Sequence, residues 1–334
     1  LLVEEARTNL ATYSEQFDNA AWDKEVGTTV SPDSITSPDG TQSADSISFA
    51  TSAQVYQSRT IANGTVYTAS IYVKPLAGST NLFYYLFQAG NSKTCVFTFS
   101  ADGSTVSVGT PSGTSNATFS AITVGGGWFK LVGIFTSTGT SMEFNFFTSI
   151  ASQSFGLWGA QLEAGSFPTS YIPTVASTVT RAADVASITG TNFSSWYRQD
   201  EGTTLCASIA KSAANGAVYT ITDGSGTLSS LSLNNAPSVY YWYVFNALAA
   251  QVSSVLGSNL TGALKSALAC KANNFAGSVN GATVITDNVG TLGTMSQLNI
   301  GRYWDGSDPF SGTIARLTYY PVRLPDAQLQ TITL

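Results

Sequence analysis

The stretch Asn274-Phe275-Ala276-Gly277-Ser278-Val279, Asn280-Gly281, Ala282-Thr283-Val284-Ile285 decides the fold class. Asn-Gly offers two consecutive positive-φ residues, which a two-residue hairpin needs to match the twist of its strands. The small and β-branched runs on either side read as the two arms. Just upstream, Ala263 to Ala272 is rich in Ala and Leu and has helical propensity. Its polarity alternates, however: Leu264, Leu268 and Cys270 share one face, Lys265 and Lys271 the other. A strand is expected there.

The same grammar extends outward. Thr94 to Ser100 faces Ser104 to Val108 across Asp102-Gly103, a second hairpin signal. Tyr67 to Val73 is a strand that stops before Pro75, which cannot donate to a central ladder. Trp128 to Phe135 follows Gly125-Gly126-Gly127 and reads as a half-buried strand. Those glycines precede no helix, so they do not make a phosphate loop. Only Pro325 to Gln330 suggests a short helix, opening on Pro325. The fold class expected is all-β.

Composition narrows the function. The 334 residues carry 14 Lys plus Arg, 20 Asp plus Glu and no His, a net charge of −6. Without His there is no His-based triad, no His-ligated metal and no His general base. Charged residues make up 10%, against about a quarter in an ordinary soluble domain. A phosphate-tracking surface needs clustered Lys and Arg, so nucleic acid is not an expected partner. Hydrophobic residues at 43% suffice for real cores. Cys95, Cys206 and Cys270 are odd in number and widely spaced. They read as small buried hydrophobes in a chain made in a reducing compartment. No apolar run approaches the roughly 20 residues that span a bilayer, and Leu1 to Arg7 does not read as a signal peptide. Membrane insertion is not expected.

This length suggests two domains. The extended, Pro-containing segment from Tyr171 to Arg181 marks the expected boundary. The division expected is 1–174 for one β-sandwich, 175–185 for a linker and 186–334 for a second. No repeat with a period of roughly 20 to 50 residues appears, so a solenoid or propeller is not indicated.

Two stretches resemble known families. Arg7-Thr8-Asn9-Leu10 with Tyr13-Ser14-Glu15-Gln16-Phe17-Asp18-Asn19-Ala20-Ala21-Trp22 resembles the opening of a module found in tailed-bacteriophage structural proteins. Trp158 to Phe167, Thr169 to Thr174 and Arg181-Ala182-Ala183-Asp184 resemble its close. Modules of this kind look like jelly-roll carbohydrate-binding domains. The second half resembles a concanavalin A-like or laminin G-like sandwich. The carrying residues are Phe275 with Ser278 to Gly281, Leu298 to Arg302, Phe310 to Tyr320 and Arg323-Leu324. The resemblance implies a virion setting and, for fibres and spikes, a homotrimer. It does not name a ligand.

Tyr240-Tyr241-Trp242-Tyr243-Val244-Phe245 is the most unusual segment. In a strand, one alternate set faces the core and the other forms an aromatic shelf on which a sugar ring can stack. The alternative is a subunit interface or a loop-covered surface. Tyr240, Tyr241, Trp242 and Tyr243 are taken as candidate sugar contacts. Tyr303 and Trp304, in the loop from Gly301 to Pro309, join them. Asp305 and Asp308 in that loop could give oxygen ligands to Ca²⁺, although the EF-hand spacing is absent and a plain solvated turn is the alternative. Glu15, Asp18 and Glu163 are a second possible calcium set. Trp22, Trp128 and Trp158 are expected in a core, and at least one of Tyr84, Tyr85 and Phe87 on a surface. Asn63-Gly64-Thr65, Asn116-Ala117-Thr118, Asn192-Phe193-Ser194 and Asn259-Leu260-Thr261 match the glycosylation acceptor pattern, which matters only in a eukaryotic secretory pathway.

A glycoside hydrolase needs two opposed carboxylates. The second half has no Glu-x-Asp-x-Glu run, and Glu201 is its only Glu. The expectation is a non-enzymatic surface protein of a tailed phage: a tail fibre, head fibre or spike. It would be assembled in the bacterial cytoplasm with other virion proteins, carry no cofactor beyond that calcium, and contact host-surface polysaccharide or environmental glycans. A purely structural decoration or fibre protein, a glycan depolymerase and a secreted bacterial adhesin are the alternatives.

Overall fold

A computed structural model of the chain describes residues 1–334 except 77, 89, 212–214, 226–229, 237–238 and 259–261. Its regular structure is almost entirely antiparallel strand, as the alternating sequence requires. Two compact units form. One is Arg7–Arg181; the other is Ala182–Leu334 together with Leu1–Ala6.

In the unit Arg7–Arg181, one sheet runs in the order Val106–Val108, Lys93–Phe99, Asn81–Phe87, Ser141–Thr148, Ala53–Thr60, Asp23–Lys24. The facing sheet runs Thr118–Gly125, Trp128–Thr136, Val66–Pro75, Gln153–Ala164, Ala44–Phe49, Thr28–Ile35. Their inner faces interleave Phe97, Tyr84, Phe144, Ile71, Leu131 and Phe155, all at 1% exposure or less. Trp22 closes this core, 4.6 Å from Phe17 and 5.3 Å from Phe144 between ring centroids. Trp128 and Trp158 are also buried, but on the other side of their sheet. There they pack with Tyr72 and Tyr171, beneath the segment that follows Gln153–Ala164.

In the second unit, the order is Leu2–Val3, Gly312–Tyr320, Glu201–Ala210, Ala263–Lys271, Phe275–Val279, Ile285–Asp287. Its partner sheet is Ala186–Thr189, Gln297–Ile300, Gly216–Thr222, Ser230–Ala236, Val239–Asn246, Ala249–Ser258. Tyr219, Leu233, Trp242, Leu268 and Phe275 fill the space between. The helix Asp326–Thr333 starts after Pro325 and is longer than expected. It lays Leu329 against Leu205, Ala267, Ala269 and Ala276, covering the outer face of the first sheet.

The deciding hairpin forms: Asn280 has φ 46° and Gly281 φ 70°. Ala282 N–H closes the turn on Val279 O at 2.9 Å, and the return arm pairs only from Ile285, later than expected. Ala263–Lys271 is a strand, the alternation overriding helix propensity. Lys93–Phe99 pairs with Val106–Val108, joined by residues 100–105, a longer connection than the expected Ala101-Asp102-Gly103. Val66–Pro75 runs to Pro75 instead of stopping short of it. The three cysteines are buried and free. No helix among the described residues is long and apolar enough to cross a membrane. The Asn259-Leu260-Thr261 pattern lies outside the described residues.

The units divide the chain differently from the 1–174, 175–185 and 186–334 expected. Leu1–Ala6 belongs with the second unit: Leu2 pairs with Thr313 and Val3 with Gly312. Residues 175–181 belong with the first, because Val179–Arg181 pairs with Arg7–Asn9. Both assignments are made by backbone pairing across 170 residues or more of sequence, a distance at which no local pattern reads.

Candidate functional site

Val239–Asn246 lies between Ser230–Ala236 and Ala249–Ser258. Strand alternation sends Tyr240, Trp242 and Val244 inward, at 2%, 0% and 0% exposure. The Tyr240 hydroxyl lies 3.3 Å from Ser208 Oγ, and the Trp242 ring 6.4 Å from Phe275. Tyr240 and Trp242, expected as sugar contacts, are core residues. Tyr241, Tyr243 and Phe245 are the half-buried outer set. Tyr241 and Tyr243 are 5.8 Å apart between ring centroids and inclined by 14°; Tyr243 and Phe245 are 6.3 Å apart and inclined by 28°. They make one continuous, near-parallel aromatic stripe.

The floor beside the stripe is neutral and polar. Across the ladder, Tyr241 faces Asn234, Tyr243 faces Ser232 and Phe245 faces Ser230. Thr220 and Thr222 continue these rows, and Asn299 lies beyond Thr220. Ser232 Oγ and Asn234 Oδ1 are buried and have no hydrogen-bond partner among the described residues. Buried polar atoms are ordinarily paired, so these two are unusual.

The loop after Gln297–Ile300 folds back over this floor. Thr220 Oγ1 donates to Arg302 O at 3.2 Å, and Asn299 Nδ2 to Tyr303 O at 3.3 Å. Tyr303 thereby sits beside Tyr243 and Ser230. Burial, then the neighbouring Tyr243 and the carboxylates of Asp305 and Asp308, push its phenol above the usual range, while the Ser230 hydroxyl pulls the other way. Trp304 adds a second ring, 6.4 Å from Tyr303. The two sequence-derived candidates thus share one face. Phe245, Ser230, Ser232 and Asn234 complete it. Phe245 could have been chosen from its odd-numbered alternation with Tyr241 and Tyr243; the floor residues needed the strand register.

Asp305 and Asp308 both take part in the loop's own turn. Asp305 Oδ1 accepts the Ser307 N–H at 2.8 Å. The Ser307 hydroxyl and N–H hold this exposed carboxyl below the usual carboxylate range. Asp308 sits at φ 47°, and its carbonyl accepts the Ala217 N–H at 2.9 Å. Both residues shape a turn. No group of three His, Cys, Asp or Glu among the described residues is arranged to hold a metal.

Glu15, Asp18 and Glu163 do not form one site either. Glu163 accepts from Thr169 N, Thr169 Oγ1 and Gln161 Nε2 at 2.7–2.9 Å. Glu15 accepts from the Tyr171 hydroxyl at 2.9 Å. The carbonyls around Asp18 are taken by an ammonium: Lys24 Nζ donates to Phe17 O (3.1 Å), Asp18 O (3.3 Å), Asn19 O (2.9 Å) and Trp22 O (2.7 Å).

No protein-family model matches the sequence. A search of curated proteins gave no match. Among solved structures, the chain is similar to the Ruminococcus gnavus IT-sialidase CBM40 bound to α2,3-sialyllactose, at 15% identity over 42% of this chain and 87% of that one, with a TM-score of 0.38. It is similar to domains LG4-5 of the mouse laminin α1 chain, at 10% identity over 90% of each chain, with a TM-score of 0.32. A native heptameric SAP-like pentraxin from Limulus polyphemus matches at 14% identity over 40% of this chain and 70% of that one, with a TM-score of 0.33. At these scores the fold class rests on the chain's own strand pairing: an all-β protein of two antiparallel sandwiches.

Proposed function

We propose that this chain is a non-enzymatic surface protein of a tailed-phage virion, a tail-fibre, head-fibre or spike subunit, that holds glycans on the outer face of its second unit. The observation that carries the glycan reading is the stripe Tyr241, Tyr243, Phe245, flanked by the Tyr303–Trp304 loop, with half-buried Asn234 across the ladder from Tyr241. Aromatic faces accept the C–H face of a sugar ring, and uncharged donors and acceptors bind its hydroxyls. No covalent step is required. The resemblance of the motifs at Arg7–Trp22 and Trp158–Asp184 supports the virion setting. The partners are then other virion proteins and two further copies of the chain, with host-surface polysaccharide as ligand. A homotrimer multiplies weak single-site binding.

A glycan-array screen of the purified oligomer tests this, beside a Tyr241→Ala, Tyr243→Ala variant that leaves Trp242 in the core. Each stacked ring contributes about 0.5–1.5 kcal/mol. The variant should therefore bind roughly 5- to 150-fold more weakly while melting as wild type. A folded wild-type oligomer that binds no glycan, or a variant that binds equally well, refutes the assignment. Mass spectrometry of purified particles tests the virion setting, and light scattering tests the trimer.

A further inference from the structure

The first unit has its own uncovered aromatic face. Along Asn81–Phe87, Leu82, Tyr84 and Leu86 enter the core, leaving Phe83, Tyr85 and Phe87 half-buried on the outside. Phe147 on the adjacent strand joins them, 4.7 Å from Phe83 and 6.3 Å from Tyr85 between centroids. Tyr85 and Phe147 border a groove of about 330 Å³ together with Gln54, Thr94 and Ser112. Asn145, 1% exposed, lies across the ladder from Tyr85 on one side and Tyr56 on the other. Its Nδ2 donates to Gln54 Oε1 at 2.6 Å, and Gln54 Nε2 to Glu25 Oε1 at 2.6 Å. Asn145 Oδ1, shielded between its neighbours, has no donor among the described residues.

Charge is sorted between the two faces of this sheet. Asp23 is paired with Tyr56 and Glu143 with Phe87, so both share the outer face, and Glu25 joins them through Gln54. The cations of the same strands alternate away. Lys24 reaches the Phe17 and Trp22 carbonyls, Arg59 bonds Gln57 and Thr12, and Lys93 shares its face with the buried Cys95. The Tyr56 phenol is raised by this company, first by Asp23 and, after burial, by Glu143 and Glu25.

We infer that this face is a second glycan site, independent of the Tyr241–Phe245 stripe, and that it takes uncharged oligosaccharides. Sugar rings lie on Tyr85 and Phe147. Sugar hydroxyls bond the side chains of Gln54, Thr94 and Ser112, which border the groove. The acidic border repels sialylated, sulfated or phosphorylated chains, an exclusion that weakens as salt rises.

The test uses the full chain carrying Tyr241→Ala and Tyr243→Ala, so that the two sites fail separately. Neutral glucan, mannan and galactan hexasaccharides, with sialylated and sulfated oligosaccharides beside them, are titrated by calorimetry at low salt. At least one neutral hexasaccharide should bind. Adding Tyr85→Ala should weaken it tenfold or more without lowering the melting temperature by more than a few degrees. Adding Glu25→Gln and Glu143→Gln instead should raise affinity for the anionic oligosaccharides severalfold. No neutral binding, binding indifferent to Tyr85→Ala, or preference for anionic sugars in the starting variant overturns the inference. So does an oligomer that Tyr85→Ala dissociates, because the face would then be a contact between copies.

Discussion

Val3 offers a direct test of how the chain is threaded. It is 2% exposed, packs in the core of the second unit and touches the close-approach position Gly301, where an added Cβ would lie 2.3 Å from Val3 Cγ1. Around it, Leu1 N and Ile314 O, Ile314 N and Leu1 O, and Asp184 N and Glu4 O are bonded at 2.9 Å. Val3→Ala removes two buried methyl groups, worth about 0.8 kcal/mol each by transfer, and leaves a small cavity. The expected loss is about 2 kcal/mol, or a roughly 30-fold fall in protection for amides that exchange by opening of the second unit. Native-state hydrogen exchange read by mass spectrometry separates the units. Protection should fall along Gly312–Tyr320 and Glu201–Ala210 and stay unchanged along Val66–Pro75. A fall confined to Val66–Pro75 and its neighbours, or no fall anywhere, would refute the assignment of Leu1–Ala6 to the second unit.

Two further outcomes concern the first unit. Asp45, 1% exposed, accepts the Phe17 N–H at 2.7 Å and the Asp33 N–H at 3.0 Å, yet burial pushes its carboxyl up to about 6. A raised carboxyl favours folding below the unfolded value near 4 and loses that contribution as pH climbs through 6. The first unit should therefore lose about 2 kcal/mol between pH 4 and pH 7 from this group. Asp45→Asn should flatten that slope in thermal melts, and an unchanged slope would count against it. Lys24→Met removes the ammonium from its four carbonyls and should lower stability in denaturant titrations by about 1–2 kcal/mol, a loss that Lys24→Arg should only partly restore.

The sequence was informative where physics is local. Asn280-Gly281 turns its hairpin through two positive-φ residues, and Asp102-Gly103 through Gly103's positive φ and the Asp102 carboxylate, which accepts the Ser104 N–H. The odd-even alternation of Tyr240 to Phe245 set out both faces, but which face is core depends on what packs opposite, here Phe275 and Leu268. Sequence alone therefore does not separate Tyr240 and Trp242 from Tyr241 and Tyr243. The meeting of Tyr303 with Tyr243 depends on the place of Gln297–Ile300 in the sheet, with Gly216–Thr222 and Ser230–Ala236 between it and Val239–Asn246, which no spacing rule encodes. Asp305 and Asp308 stand in a loop whose Asp and Gly content is common to turn-forming and calcium-binding loops, so composition alone does not separate the two. The acidic outer face of the first unit was readable only in part: Phe83, Tyr85 and Phe87 alternate visibly, but Asp23, Glu25 and Glu143 come from distant segments.

The pairing of Leu2–Val3 with Gly312–Tyr320 also fixes how the protein bears load. Tension applied between Leu1 and Leu334 passes through the second unit alone, because the strand at one end is fastened to the strand that precedes the helix at the other. Arg7–Arg181 lies in the chain between Leu1–Ala6 and Ala182, so it enters the covalent path of such a pull only after Leu2–Val3 is freed. On connectivity alone the two-residue strand Leu2–Val3 acts as a mechanical fuse: freeing it brings Arg7–Arg181 into the line of pull.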